Sequence, residues 1–90
     1  GKQLKPDPEG LLKILNRSKS KPSTSVFIGD LPLDILTGAN AGMITIGITT
    51  GIVDRTLFRE YCQPNVIVDS LTEAKKWILQ YCLKEKAKND

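Results

Sequence analysis

The chain of 90 residues contains no histidine, which excludes Ser-His-Asp and Cys-His nucleophilic chemistry built from its own side chains. Cysteine is scarce as well. Cys62 and Cys82 stand alone, without metal-ligand spacing, and read as buried, reduced thiols of a cytoplasmic protein rather than as a disulfide framework. Aromatic residues make up 6% of the chain and do not interleave with arginine, which argues against a nucleic-acid-binding surface. No apolar run approaches the length that crosses a bilayer, and the basic N-terminal stretch leads into no signal-like segment. Glycine forms no phosphate loop: Gly47 and Gly51 lack both the pattern and the lysine of a P-loop. There is also no Asp-x-Asp pair and no other evident nucleophile.

What remains is an ordinary globular composition, 40% hydrophobic and 26% charged, in a length that suits one small domain. The net charge of +3 comes from lysines and an arginine near the two ends, a pattern expected of solvated surface. Apolar periodicity predicts alternating helices and strands. Asp7 suits an N-cap and Pro8 a first helical position, ahead of the stripe Leu11, Leu12, Ile14 and Leu15. Val26-Phe27-Ile28 reads as a strand buried on both faces. A helix is expected from Pro32 to about Ala41, with Ile35, Leu36 and Ala39 toward the sheet and Gly42 ending it. Ile44 to Ile48 is the next strand. Asp54 should cap a short helix that runs through Cys62 and buries Leu57, Phe58 and Tyr61. Val66-Ile67-Val68 is the third strand. Ser70 with Glu73 forms a capping box before a helix carrying Leu71, Ala74, Ile78 and Cys82 on one face, and a tail from Lys84 to Asp90 is expected to fray. The fold class is therefore α/β, a parallel sheet of about three strands with flanking helices.

Chemistry concentrates after the first strand. In Gly29-Asp30 followed by Asp34, two carboxylates one helical turn apart come off the carboxyl end of a strand, where parallel α/β sheets bind ligands. Such hard oxygen donors suit Mg²⁺, which takes one or two protein carboxylates and keeps several waters. The spacing equally allows Asp30 to cap the helix and Asp34 to complement its dipole. Lys5, ahead of the stiff Pro6-Asp7-Pro8 turn, could offset phosphate charge and steady a carboxylate nucleophile. Thr49-Thr50-Gly51 reads as a polar strand-exit loop that could also offer donors to a substrate. Trp77 and Tyr81 suit packing or an interface.

Taken together, Lys5-Pro6-Asp7-Pro8, Val26-Phe27-Ile28-Gly29-Asp30 with Asp34-Ile35, Gly38-Ala39-Asn40-Ala41-Gly42-Met43, Gly47-Ile48-Thr49-Thr50-Gly51 and Pro64 to Leu71 resemble the C-terminal half of a haloacid-dehalogenase-superfamily (HAD-like) hydrolase, near its phosphoglycolate-phosphatase-like members. The resemblance reaches to about Ile78. It implies a partial Rossmann-like, HAD-type core over residues 1–90. In it Lys5 would be the catalytic lysine of the third motif, Asp30 a Mg²⁺ ligand and Asp34 its acidic companion. Leu31 stands where many relatives carry a small polar residue. The family's nucleophile strand, its second-motif Ser/Thr and its cap domain have no counterpart in this sequence. The expected activity is hydrolysis of a small phosphomonoester through an aspartyl-phosphate, with mutase, phosphonatase and dehalogenase chemistry compatible with the same half-site. The expected partners are a phosphorylated substrate, the N-terminal half of the core and, at an unpaired Val26 to Ile28 edge, a second copy of the chain. A non-catalytic α/β oligomerisation or partner-binding module is the rival reading.

Overall fold

The computed structural model describes residues 7–49 and 53–89. Its elements alternate as expected: α1 (Glu9–Arg17), a 3₁₀ turn (Pro22–Thr24), β1 (Val26–Gly29), α2 (Pro32–Asn40), β2 (Ile44–Ile48), α3 (Arg55–Tyr61), β3 (Val66–Val68) and α4 (Leu71–Asn89). The strands form one parallel sheet in the order β1-β2-β3. Side chains alternate across it. Val26, Ile46, Ile48, Val66 and Val68 pack against Ala74, Trp77 and Ile78 of α4. The opposite face meets α2 and α3, where Ile35, Val53, Phe58 and Cys62 form a second cluster with Leu36 and Ile67.

Small residues let the helices approach that second face. A Cβ added at Gly38 would lie 2.9 Å from both the Phe27 ring and the Thr45 methyl, and one at Gly47 would lie 3.1 Å from the Phe58 ring. Gly38, one of the small residues expected to admit close approach, is the one that does so, whereas Ala39, expected to face the sheet, is exposed. Buried Thr45 is satisfied because the Asn65 side-chain carbonyl accepts from its backbone N–H at 2.8 Å and from its hydroxyl at 3.3 Å. In α3 only Phe58 is buried. Leu57 and Tyr61, expected in the core, are exposed because a helix of two turns turns only one narrow stripe inward. The Cys62 thiol donates to the Phe58 carbonyl and its pKa is raised by burial, whereas Cys82 lies exposed on α4. Leu71 is likewise exposed, and the apolar face of α4 is covered around Ala74, Trp77 and Ile78. The segment from Lys84 onward continues α4 to Asn89, with a Lys88–Glu85 pair at 3.4 Å and basic residues suited to the helix C-terminus.

β2 is the central strand, with all five residues buried. β1, expected to be buried on both faces, is only half covered, with Ile28 37% exposed. Among the described residues no strand lies beyond it. The Ile44 N–H donates to the Ser25 carbonyl, and in a parallel ladder that parity turns Phe27 and Gly29 toward β2 and leaves the backbone groups of Val26 and Ile28 at the outer edge. At β3 the equivalent outward carbonyl, that of Ile67, accepts from Arg55 Nη1 at 3.1 Å. The β3 edge carries a side-chain cap that the β1 edge lacks among the described residues.

Helices α1 and α2 end in the same way. After α2, the Gly42 and Met43 N–H groups return to the Ala39 and Gly38 carbonyls, with Gly42 at φ +83°. After α1, Lys19 and Ser20 return to Asn16 and Leu15, but Lys19 holds the left-handed conformation at φ 58°. Urea unfolding should therefore show Lys19→Gly stabilising the chain by about 1 kcal/mol and Gly42→Ala destabilising it by about 1–2 kcal/mol. Equal effects at the two positions would show that the loop geometry, and not φ, sets the cost.

Candidate active site

The first residues beyond the three strands are Asp30, Thr49 and Asp69. Gly29 pairs with Gly47 and Ile48 with Val68, so Thr49 and Asp69 leave the sheet level with one another along its carboxyl edge, and Asp30 leaves one residue earlier, level with Ile48.

Asp30 is exposed, and among the described residues its carboxylate has no hydrogen bond or ion pair. It does not cap α2. The N-cap residue is Leu31, in extended conformation and without a side-chain cap, while Pro32 supplies the first helical position. Asp34 lies in the first turn of α2 and is half-buried because it folds back onto the strand end. A Cβ on Gly29 would collide with the Asp34 Cβ, and the Asp34 Oδ2 lies 3.2 Å from that position. Glycine at 29 therefore lets the second acid of the motif rest over the exit from which Asp30 projects. Lys5, Thr50 and Gly51 lie outside the described residues.

Two carboxylates at a strand end fit Mg²⁺, whose remaining positions are ordinarily filled by water and substrate oxygens. No group of three or more His, Cys, Asp or Glu side chains that could hold a metal ion gathers among the described residues. A groove of about 540 Å³ beside the β3 edge, lined by Arg55, Arg59, Cys62, Gln63, Pro64, Val66 and Ile67, takes in neither of them.

Sequence reasoning overlooked the other half of this edge. Asp69 Oδ1 accepts from the Thr49 hydroxyl at 2.7 Å and from Arg55 Nη2 at 3.1 Å. The Thr49 hydroxyl, considered as a substrate donor, is thus spent on Asp69. The Asp69 N–H donates to Glu73 Oε1, and Ser70 Oγ accepts from the Glu73 N–H, so the capping box reaches one residue further back than expected. The available signal was a polar residue immediately after each strand.

Residues 4–74 match the HAD-hydrolase-like family. Over 70 residues the chain is 31% identical to the pyrophosphatase PpaX of Bacillus mycoides, covering 78% of this chain and 32% of that protein. Over 69 residues it is 36% identical to the probable phosphatase IndB of Dickeya dadantii, covering 77% and 30%. Among solved structures, a protein assigned as a β-phosphoglucomutase from Bacteroides vulgatus superposes with a TM-score of 0.73 at 32% identity, over 89% of this chain and 33% of that one. The chain belongs to the HAD-like hydrolases, and its parallel sheet and flanking helices are those of the family's Rossmann-type fold. It spans about a third of the length of the relatives it matches.

The hydrogen bonds from Thr49 and Arg55 hold the Asp69 carboxyl below the ordinary carboxylate value, with the Thr49 bond the larger cause. A depressed pKa in the folded state means that this contribution to stability is fully present above the unfolded value, near 3.8, and is lost as pH falls through the lower folded value. Side-chain carboxyl NMR titration should place Asp69 below 3.8. Thr49→Val should move it upward, and an unchanged titration would show that the hydroxyl does not bind there.

Proposed function

We propose that the chain supplies the metal-binding and charge-neutralising half of a Mg²⁺-dependent phosphatase site for a small phosphomonoester. The observation that carries this reading is Asp30, exposed at the carboxyl end of β1, not used as a helix cap and without a partner among the described residues. Asp34, folded onto Gly29, is its acidic companion. When bound, Mg²⁺ supplies positive charge to the phosphoryl oxygens. Asp30 holds the cation and Asp34 orients it directly or through water. Lys5 offsets the remaining phosphate charge and steadies the nucleophile. That nucleophile, an aspartate forming an aspartyl-phosphate, comes from a segment outside these residues, since the sequence holds no Asp-x-Asp.

The β1 edge is the place for that segment. Val26 and Ile28 present backbone groups there that have no strand partner among the described residues, and an open groove of about 330 Å³ lined by Ile28, Leu71, Ala74, Lys75 and Ile78 runs beside it. A strand with an apolar face satisfies both. A second copy of the chain could pair on the same edge, and light scattering distinguishes the two: a dimer disrupted by Ile28→Lys supports self-pairing, and a monomer across the micromolar range excludes it.

In a full-length protein carrying this segment, Asp30→Asn should lower phosphatase kcat by about 100-fold or more and leave the melting temperature nearly unchanged, because Asp30 buries nothing and bonds to nothing described. Near-normal kcat in that variant would contradict the reading. The 90-residue chain alone, with Mg²⁺ and a general phosphomonoester, should give no turnover above buffer.

A further inference from the structure

The hydrogen bonds around Asp69 link three separate elements to one oxygen. Thr49 is the last described residue at the exit of β2, and Arg55 opens α3, so the two stand on either side of the connection from β2 to α3. Both donate to Asp69 Oδ1, from the end of β3. Arg55 is tied a second time through Nη1 to the Ile67 carbonyl, which fixes its guanidinium plane by two bonds, one to the backbone of β3 and one to the side chain just after it. Asp69 itself is held from behind, its N–H donating to Glu73 at the start of α4. A charged acceptor with two donors has a better-defined geometry than a neutral single bond. Just before Arg55, Asp54 caps α3 by accepting from the Leu57 N–H at 3.0 Å, so the helix start is separately ordered.

We propose that Asp69 is a positioning residue at the carboxyl edge of the sheet: its carboxylate clamps Thr49 and Arg55, and so fixes from the third strand the end of β2, the strand next to the one that ends in Asp30. The role rests on the reading of Asp30 as a site residue for its meaning, but not for its geometry. Gly29 and Gly47 are in register, which sets Asp30 level with Ile48 and places Thr49 one residue beyond it. The end of β2 is thus the strand terminus adjacent to Asp30. Among the described residues Thr49 has one other tie across the sheet, its N–H to the Val68 carbonyl at 3.0 Å, the last rung of the β2–β3 ladder. Loss of the clamp leaves that rung free to fray. The clamp is exposed, with the Asp69 side chain 60% accessible, so it acts on the order of the exit and not on global stability.

The test is amide hydrogen exchange and ¹H–¹⁵N NMR on the 90-residue chain, comparing Asp69→Ala, Asp69→Asn and Arg55→Gln. Exchange at Thr49 should accelerate about threefold or more in Asp69→Ala, with shifts at Thr49, Arg55 and Asp30 and none at Ile46. Asp69→Asn keeps an oxygen acceptor and should restore Thr49 to near the parent rate. Arg55→Gln should reproduce part of the Ala effect. Unchanged Thr49 exchange in Asp69→Ala overturns the proposal. So does a perturbation confined to Ser70–Glu73, which would make Asp69 only part of the α4 cap, and so does failure of Asn to rescue. Titrating Mg²⁺ into the parent chain tests Asp30 separately: no shift at Asp30 counts against the metal reading and leaves the clamp intact.

Discussion

The structure depends on the complete burial of β2. Its five residues carry no charge, and the sheet has nowhere else to place them than between α4 on one face and α2 with α3 on the other. Ile46 is fully enclosed, and Thr45 is tolerated there only because Asn65 meets both of its polar groups. Once β2 is central, the register of its neighbours fixes where β1 and β3 end, and hence where Asp30, Thr49 and Asp69 emerge. The candidate site is a consequence of that alignment.

Close packing on the α2 and α3 face sharpens the geometry. Gly38 and Gly47 admit the neighbouring rings and helices without a gap, and Gly29 does the same for Asp34. The first two glycines set the depth of the helices, and the third sets the position of Asp34. Acids are often gathered at such an edge by capping alone. Here α2 takes its start from Leu31 and Pro32, which leaves Asp30 uncommitted among the described residues.

Much of this was legible in the sequence because β2, β3 and the α2 start carry strong local signals: an uninterrupted apolar run, a Pro-Asn break before Val66, and Pro32 after Gly-Asp. Asp54 as a cap followed from its place before a short amphipathic stretch, and the structure shows its bond to Leu57. What could not be read were contacts made across the sheet. Nothing local distinguishes Gly38 from Ala39 as the residue that meets Phe27, and nothing marks Leu57 and Tyr61 as exposed while Phe58 is enclosed. The Thr49–Asp69–Arg55 cluster joins residues 14 and 20 positions apart, a separation that periodicity cannot see. β1 looked like a buried strand by composition, yet burial on both faces needs neighbours on both sides, a property of the assembly and not of the run itself.

The central claim is that the carboxyl end of β1 is a divalent-metal site of the HAD type. Mn²⁺ resembles Mg²⁺ in its preference for oxygen donors and broadens nearby amide signals, so its titration into the ¹⁵N-labelled chain reports the location of weak binding directly. The account predicts selective broadening centred on Gly29 to Asp34 that disappears in Asp30→Asn. Broadening centred elsewhere, or unchanged by that substitution, would contradict it.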